Sequence, residues 1–243
     1  MNTTLVVNPK GGAGKTTIAI NLASHFAAVN LGTTILDYDP QGSSLNWLRL
    51  RTPHAPKIHG ASAAPEKFGR LRSMEMYVPP QTRHLIIDAP AGASGLLLQE
   101  MIDRAHCVVV PVVPSAIDIH ASTHFINDLL RIGRIRSGNI RLAVVANKVR
   151  KSMPAYPPLE RFLQSVNMKL TARLIDSDVY LKAAESGVGI FEMTPTQSVA
   201  ERRQLTPLIE WITGEPLAAQ PSAPPVEAPA PELVFELART RFA

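Results

Sequence analysis

Three short segments in the N-terminal half combine residue types that act on phosphates and metal ions. The first is Lys10-Gly11-Gly12-Ala13-Gly14-Lys15-Thr16-Thr17. Glycines at this density let successive backbone amides converge on one anion. At the loop's exit, Lys15 supplies a charge for β- and γ-phosphates and Thr16 a hydroxyl for Mg²⁺. Lys10 is a departure, because a phosphate cradle needs no lysine at its first turn. The second segment, Asp37-Tyr38-Asp39-Pro40-Gln41-Gly42, places two carboxylates one residue apart. The third, Leu85-Ile86-Ile87-Asp88, ends an apolar run on a single carboxylate suited to holding a metal. Asp37 has two readings, as support for the magnesium shell or as a turn or helix cap.

These groups work only if something rigid brings them together. Thr4–Asn8 reads as a buried strand leading into the glycine loop, and Thr16–Asn30 as a helix leaving it, with Ile18, Leu22, Phe26 and Val29 at helical spacing. That strand–loop–helix context is what a phosphate loop requires. Thr33–Asp37, His84–Asp88, Cys107–Val113 and Leu142–Asn147 are further strand candidates. Their apolar runs are continuous rather than alternating, which predicts strands covered on both faces. The expected fold class is therefore α/β, a doubly wound, mostly parallel sheet flanked by helices. Ligands bind such sheets at the carboxyl ends of the strands. Asn8, Asp37, Asp39, Asp88 and Asn147 all fall at or just past those ends.

Composition sets wider bounds. The chain has 243 residues, 45% of them hydrophobic, enough for one full core. Its formal charge of +5 fits either an acidic partner such as nucleic acid or lipid, or a soluble protein with a few extra arginines. The one cysteine, Cys107, lies in an apolar run and reads as a small core residue. It fits a reducing cytosol and cannot supply the paired ligands of an iron–sulfur site. No apolar stretch approaches the roughly 20 residues of a membrane span, and strand-like sequence from Thr3 leaves no place for a signal peptide. Six prolines fall between Pro216 and Pro231. The expected organisation is one α/β domain over 1–214 and a proline-rich, disordered tail over 215–243.

The octet from Lys10 to Thr17 resembles the deviant Walker A loop of the ParA/MinD family of positioning ATPases. The likeness runs through about residue 213. Asp39-Pro40-Gln41 with Leu45-Asn46-Trp47 is similar to the small ParA/ParF-type partition ATPases. Val113-Pro114-Ser115-Ala116-Ile117-Asp118 is similar to a family segment near the dimer face. The resemblance implies ATP and Mg²⁺ as cofactors. It implies that Lys10, Gly11, Gly12, Ala13, Gly14, Lys15, Thr16 and Thr17 surround the phosphates, and that Asp39 orients the attacking water. It also implies that Thr16, Asp39 and Asp88 face the metal, and that Lys10 reaches across a homodimer to the partner's nucleotide. Asn147 stands where relatives contact adenine, although a strand-end asparagine is also a common turn residue. Ala89-Pro90-Ala91-Gly92 departs from the family's usual residues after the Walker B aspartate.

Partition ATPases of this type bind DNA without sequence preference as ATP dimers, which needs only clustered Lys and Arg. Lys182, Arg202 and Arg203 are the candidates, with Arg131, Arg134, Arg136 and Arg141 as a second group. The resulting expectation is a cytoplasmic, nucleoid-associated ATPase that positions a cargo, with a cargo-bound partner protein stimulating turnover. Two alternatives are a MinD-like membrane-associated positioner and a metabolic ATP-dependent enzyme. Leu233, Leu237 and Phe242 offer a short apolar stripe, but Glu227, Glu232 and Glu236 oppose anionic lipid, so membrane binding is not expected.

Overall fold

The computed structural model describes residues 1–64, 76–150 and 156–217. Seven strands form one sheet in the order β3-β2-β4-β1-β5-β6-β7. They are β1 (Asn2–Val6), β2 (Thr33–Asp37), β3 (Ile58–Ser62), β4 (His84–Asp88), β5 (Cys107–Val112), β6 (Arg141–Val149) and β7 (Leu170–Ile175). Every pairing is parallel. The helices are α1 (Lys15–Ala28), α2 (Ser43–Leu50), α3 (Gly95–Arg104), α4 (Ala116–Arg131), α5 (Gly133–Arg136), α6 (Tyr156–Ser165), α7 (Asp178–Glu185) and α8 (Pro195–Thr213).

The continuous apolar runs divide between two cores by strand alternation. Leu5, Val7, Val108 and Val110 face one core with Met101 and Ile102 of α3 and Ile126 and Leu129 of α4. Val6, Cys107 and Val109 face the other with Ile18, Leu22 and Phe26 of α1 and Leu205, Leu208 and Ile212 of α8. Both layers are buried because both sheet faces are covered, as the lack of polar alternation predicts.

The phosphate-loop strand lies two residues earlier than the expected Thr4–Asn8, and Val7 continues only one bond of the ladder, to the Val109 carbonyl. Helix α1 stops at Ala28, where Asn30 takes a left-handed φ of 59° and closes the turn. β3 and β7, the two sheet edges, were not among the strand candidates. β3 reads Ile-His-Gly-Ala-Ser and is only partly buried, so it lacks the run that betrays a central strand. Helix α8 ends at Gly214 in the left-handed conformation, and Leu217 still packs on the core. The rest of the proline-rich tail and its terminal apolar stripe lie outside the described residues.

Helix α2 is anchored at its far end. The Arg51 guanidinium grips the Glu192 carboxylate with two bonds of 2.9 and 2.6 Å, and donates to the Gly187 and Pro56 carbonyls. The pair is almost completely buried. Losing one partner of such a pair costs about 3–5 kcal/mol. The clasp fixes α2, and hence the carboxylate-bearing turn before it, against the α7–α8 connection.

Candidate functional site

Sheet register brings the acidic residues together. Asp37 and Asp88 are direct partners across β2 and β4, and Asp88 also pairs with Val6, the last residue of β1. The glycine loop leaves the sheet next to these two carboxylates. Gly11 and Gly12 are exposed, and an added Cβ on either would meet nothing within 4 Å. Gly12 and Gly14 have φ of 75° and 90°, conformations that suit glycine. Helix α1 starts with no side-chain cap and no acidic residue in its first turn. Its leading amides are therefore left for an anion.

Lys15 is 7% exposed and donates to the Lys10 carbonyl at 3.1 Å. Burial lowers its pKa, opposed by the charges of Asp88 and Asp39, so both carboxylates bear on this ammonium. Asp88 is fully buried, and neither of its oxygens has a well-formed hydrogen bond among the described residues. Burial raises its pKa to about 7, with Asp37 adding to the rise, while the nearby Thr16 hydroxyl and Lys15 draw it down. Buried carboxylates without partners are costly. A divalent cation next to Thr16 would satisfy this one, so the residues present fit Mg²⁺. Mg²⁺ takes few protein ligands and completes its shell with phosphates and water.

Of the two readings of Asp37, its bonds show the turn and helix cap. Its carboxylate accepts the Asp39 amide at 2.9 Å, the Ser44 hydroxyl at 2.7 Å and the Leu45 amide at 3.3 Å. Asp37 caps α2 and shapes the turn, so its oxygens are already engaged. Asp39 is partly exposed, and its Oδ1 accepts the Gln41 amide at 2.9 Å. The turn is thus built to present Asp39 beside Lys15.

Lys10 does not point into its own loop. Its ammonium is ion-paired with Asp118 in the first turn of α4, with 40% of the side chain exposed. Ser115 donates to the other Asp118 oxygen. The Lys10 amide donates to Asn8 Oδ1 at 2.9 Å, and Asn8 Nδ2 reaches the Pro111 carbonyl at 2.7 Å and Ser122 Oγ at 3.2 Å. Asn8 and Asp118 thus brace the first turn against β5 and α4. Sequence reasoning noted both residues without giving either a role. The signal was there for Asn8, a polar residue closing an otherwise apolar strand. On the other side, Gly92, just past Asp88, donates to the Pro9 carbonyl at 2.7 Å.

Two of the expected contact residues have partners within the chain. Asn147 turns its amide onto the loop, donating to the Ala13 carbonyl at 2.8 Å. Arg202 is a correction to the DNA-binding trio. Its guanidinium faces inward, donating to the Ile190 and Met193 carbonyls and to Ser198 Oγ, and so holds the kinked start of α8. Lys182 and Arg203 remain exposed, on helices that pack together. Arg141 and Arg134 are also engaged, with the Trp211 and Ile212 carbonyls and with Asp103.

Residues 4–188 match the family described as the CobQ/CobB/MinD/ParA nucleotide binding domain. The chain is 24% identical over 196 residues to the maintenance of carboxysome distribution protein A of Halothiobacillus neapolitanus, covering 79% of this chain and 87% of that one. It is 46% identical over a 134-residue alignment to the chromosome-partitioning ATPase Soj of Thermus thermophilus, covering 44% and 53%. Among solved structures, an ATP complex of a Cyanothece McdA variant matches with a TM-score of 0.63 at 15% identity, covering 90% and 99%. The MinD cell division protein of Aquifex aeolicus matches with a TM-score of 0.64 at 15% identity, covering 91% and 100%. At those identities the structural likeness speaks for the fold alone.

Proposed function

Since the chain belongs to the CobQ/CobB/MinD/ParA nucleotide-binding family, we propose that it is a Mg²⁺-dependent ATPase that dimerises around ATP and positions a cargo by binding nucleoid DNA without sequence preference. The observation that carries this reading is the placement of Lys10. One lysine, Lys15, is buried at the phosphate loop, while the second is half-exposed outside it on Asp118. A cation that its own loop does not use is available for a second nucleotide.

The mechanism follows from the residues. The uncapped start of α1 and the glycine loop bind the phosphates, and Lys15 neutralises their charge. Thr16 and Asp88 would hold Mg²⁺, which would offset charge on the phosphate oxygens. Asp39, on its fixed turn, orients a water towards the γ-phosphate. Leu96 and Ile117 are 90% and 76% exposed, the two most exposed large apolar side chains among those described. Ile117 adjoins Asp118, the partner of Lys10, and Leu96 lies four residues past Gly92, whose amide donates to the Pro9 carbonyl, so both are proposed to border the loop's mouth. A second copy of the chain facing this mouth would cover them. Lys182 and Arg203 are the residues proposed to meet DNA phosphates. Two relatives are named for carboxysome distribution and chromosome partitioning; the cargo of this chain is proposed only as a class, a replicon or a protein assembly bearing a stimulating partner.

The decisive experiment is light scattering of the purified protein with ATP and with ADP. A mass that doubles with ATP alone, and not in Lys10→Ala, is expected. A constant mass with ATP refutes the dimer.

A further inference from the structure

Asn147 sits near the end of β6, is 5% exposed, and is followed by Lys148 at a left-handed φ of 54°. Its Nδ2 donates to the Ala13 carbonyl across a buried gap of 2.8 Å. The same nitrogen presses on the next residue. A Cβ built on Gly14 would lie 2.0 Å from Asn147 Nδ2, so a side chain there would displace the Asn147 amide, and the φ of 90° favours glycine in its own right. Gly14 is in turn the point where α1 starts, its carbonyl accepting the Ile18 amide at 3.1 Å.

In a trans peptide the C=O and N–H point in opposite directions. Holding the Ala13 carbonyl outward on Asn147 therefore turns the Gly14 N–H the other way, into the cradle. The bond is buried, so leaving the carbonyl unpaired would be unfavourable enough to let that peptide rotate.

We infer that Asn147 is a positioning residue for phosphate binding: it fixes the Ala13–Gly14 peptide so that the Gly14 amide faces the nucleotide's phosphates, rather than serving first to read the base. This inference rests on the nucleotide-binding reading proposed above. A strut of this kind acts equally on any ligand bearing a phosphate chain, whereas a base contact acts only on nucleotides.

The test uses the full chain with Asn147→Ala and Asn147→Asp, the second keeping the volume while removing the donor. Displacement of a fluorescent ATP analogue is measured with MgATP and with magnesium tripolyphosphate, beside thermal melts of the ligand-free proteins. Both variants are expected to lose about tenfold in affinity for both competitors. A loss confined to ATP, with tripolyphosphate unchanged, overturns the inference and returns Asn147 to the base. A lowered melting temperature with unchanged affinities overturns it too, leaving a purely structural role. Failure of the wild-type protein to bind MgATP at all would instead remove the nucleotide-binding reading on which the inference stands.

Discussion

Lys10 and Asp118, 108 positions apart in sequence, are ion-paired within one chain, joining the first turn of the phosphate loop to the first turn of α4. In the proposed dimer the Lys10 ammonium leaves this carboxylate for a partner's phosphates. The pair is half-exposed, and such pairs are worth about 0.2–1 kcal/mol. The restraint is therefore light enough to be released by ATP. Asp118→Asn should lower the protein concentration needed for half-dimerisation with ATP by about two- to fivefold. Sedimentation equilibrium across a dilution series reads this directly, and a higher threshold would contradict it.

Lys15 and Asp39 should separate binding from turnover. Lys15→Ala removes charge-assisted bonds to the phosphates and should weaken ATP binding by about tenfold to a hundredfold. Asp39→Ala leaves the loop intact and should retain ATP affinity while slowing hydrolysis by at least about a hundredfold. Calorimetry with a phosphate-release assay distinguishes the two. An Asp39→Ala protein that hydrolyses normally would remove Asp39 from the reaction.

Leu96→Asp and Ile117→Asp test the mouth of the site. Both side chains are already in water in the single chain, so the melting temperature should change little. Burying each in a dimer is worth about 1.5–3 kcal/mol, so each change should weaken ATP-dependent association by about tenfold or more. Gel filtration at several concentrations would show it. Unimpaired association would place the interface elsewhere.

The DNA surface can be tested on the residues that are free to meet it. Lys182→Glu with Arg203→Glu should weaken binding to unrelated duplexes and flatten the dependence of log affinity on log salt, by about 0.9 for each phosphate no longer neutralised. Arg202→Glu should behave differently, lowering the melting temperature because it abandons the Ile190 and Met193 carbonyls. Anisotropy titrations with ATP, paired with melts, separate these outcomes.

Two buried histidines give the protein an acid-sensitive stability. His84 stacks on Phe26 with ring centroids 3.7 Å apart, and His25 packs edge-on against Phe26 and Phe191. Burial lowers the pKa of each to about 4, with His84 and Arg202 also acting on His25, and the chain's N-terminal charge on His84. The unfolded chain takes up these protons near pH 6.5, the folded one only near pH 4. Stability is thus full above about pH 6.5 and falls as pH drops towards 4, by roughly 1.4 kcal/mol per histidine per pH unit. Denaturant titrations at pH 7.5 and 5.0 should show the loss, and His84→Phe should reduce it. Equal stability at both values would mean that the histidines are not buried in solution.

The central strands and the phosphate loop were legible in the sequence because each carries its own signal. Continuous apolar, mostly β-branched residues from Cys107 to Val112 suit a strand covered on both faces, and the octet from Lys10 to Thr17 carries its glycines and lysines in one local motif. What stayed hidden depends on who meets whom. Ile58–Ser62 is a strand because β2 lies beside it, not because its residues prefer to be extended. Arg202 reads as one of two adjacent arginines, and only the kink at Ser198 shows that its guanidinium turns inward. The cap role of Asp37 shows only in its Ser44 and Leu45 contacts, which depend on where α2 begins.

The all-parallel pairing also bears on when the site can come into being. Parallel neighbours cannot be joined by a tight turn, so each pairing waits for a crossover to be completed. β1 leaves the ribosome first, yet both of its neighbours, β4 and β5, are made much later, and Asn147 and Asp118 later still. A nascent chain carrying only the glycine octet therefore has the motif without the site: no Asp88 beside Thr16, no brace on Lys10 or Ala13. On the proposed reading, ATP would find no formed site on such a nascent chain. The proposed nucleotide would then bind only molecules whose long-range contacts, slow to close, are already made, and its occupancy would report a finished sheet.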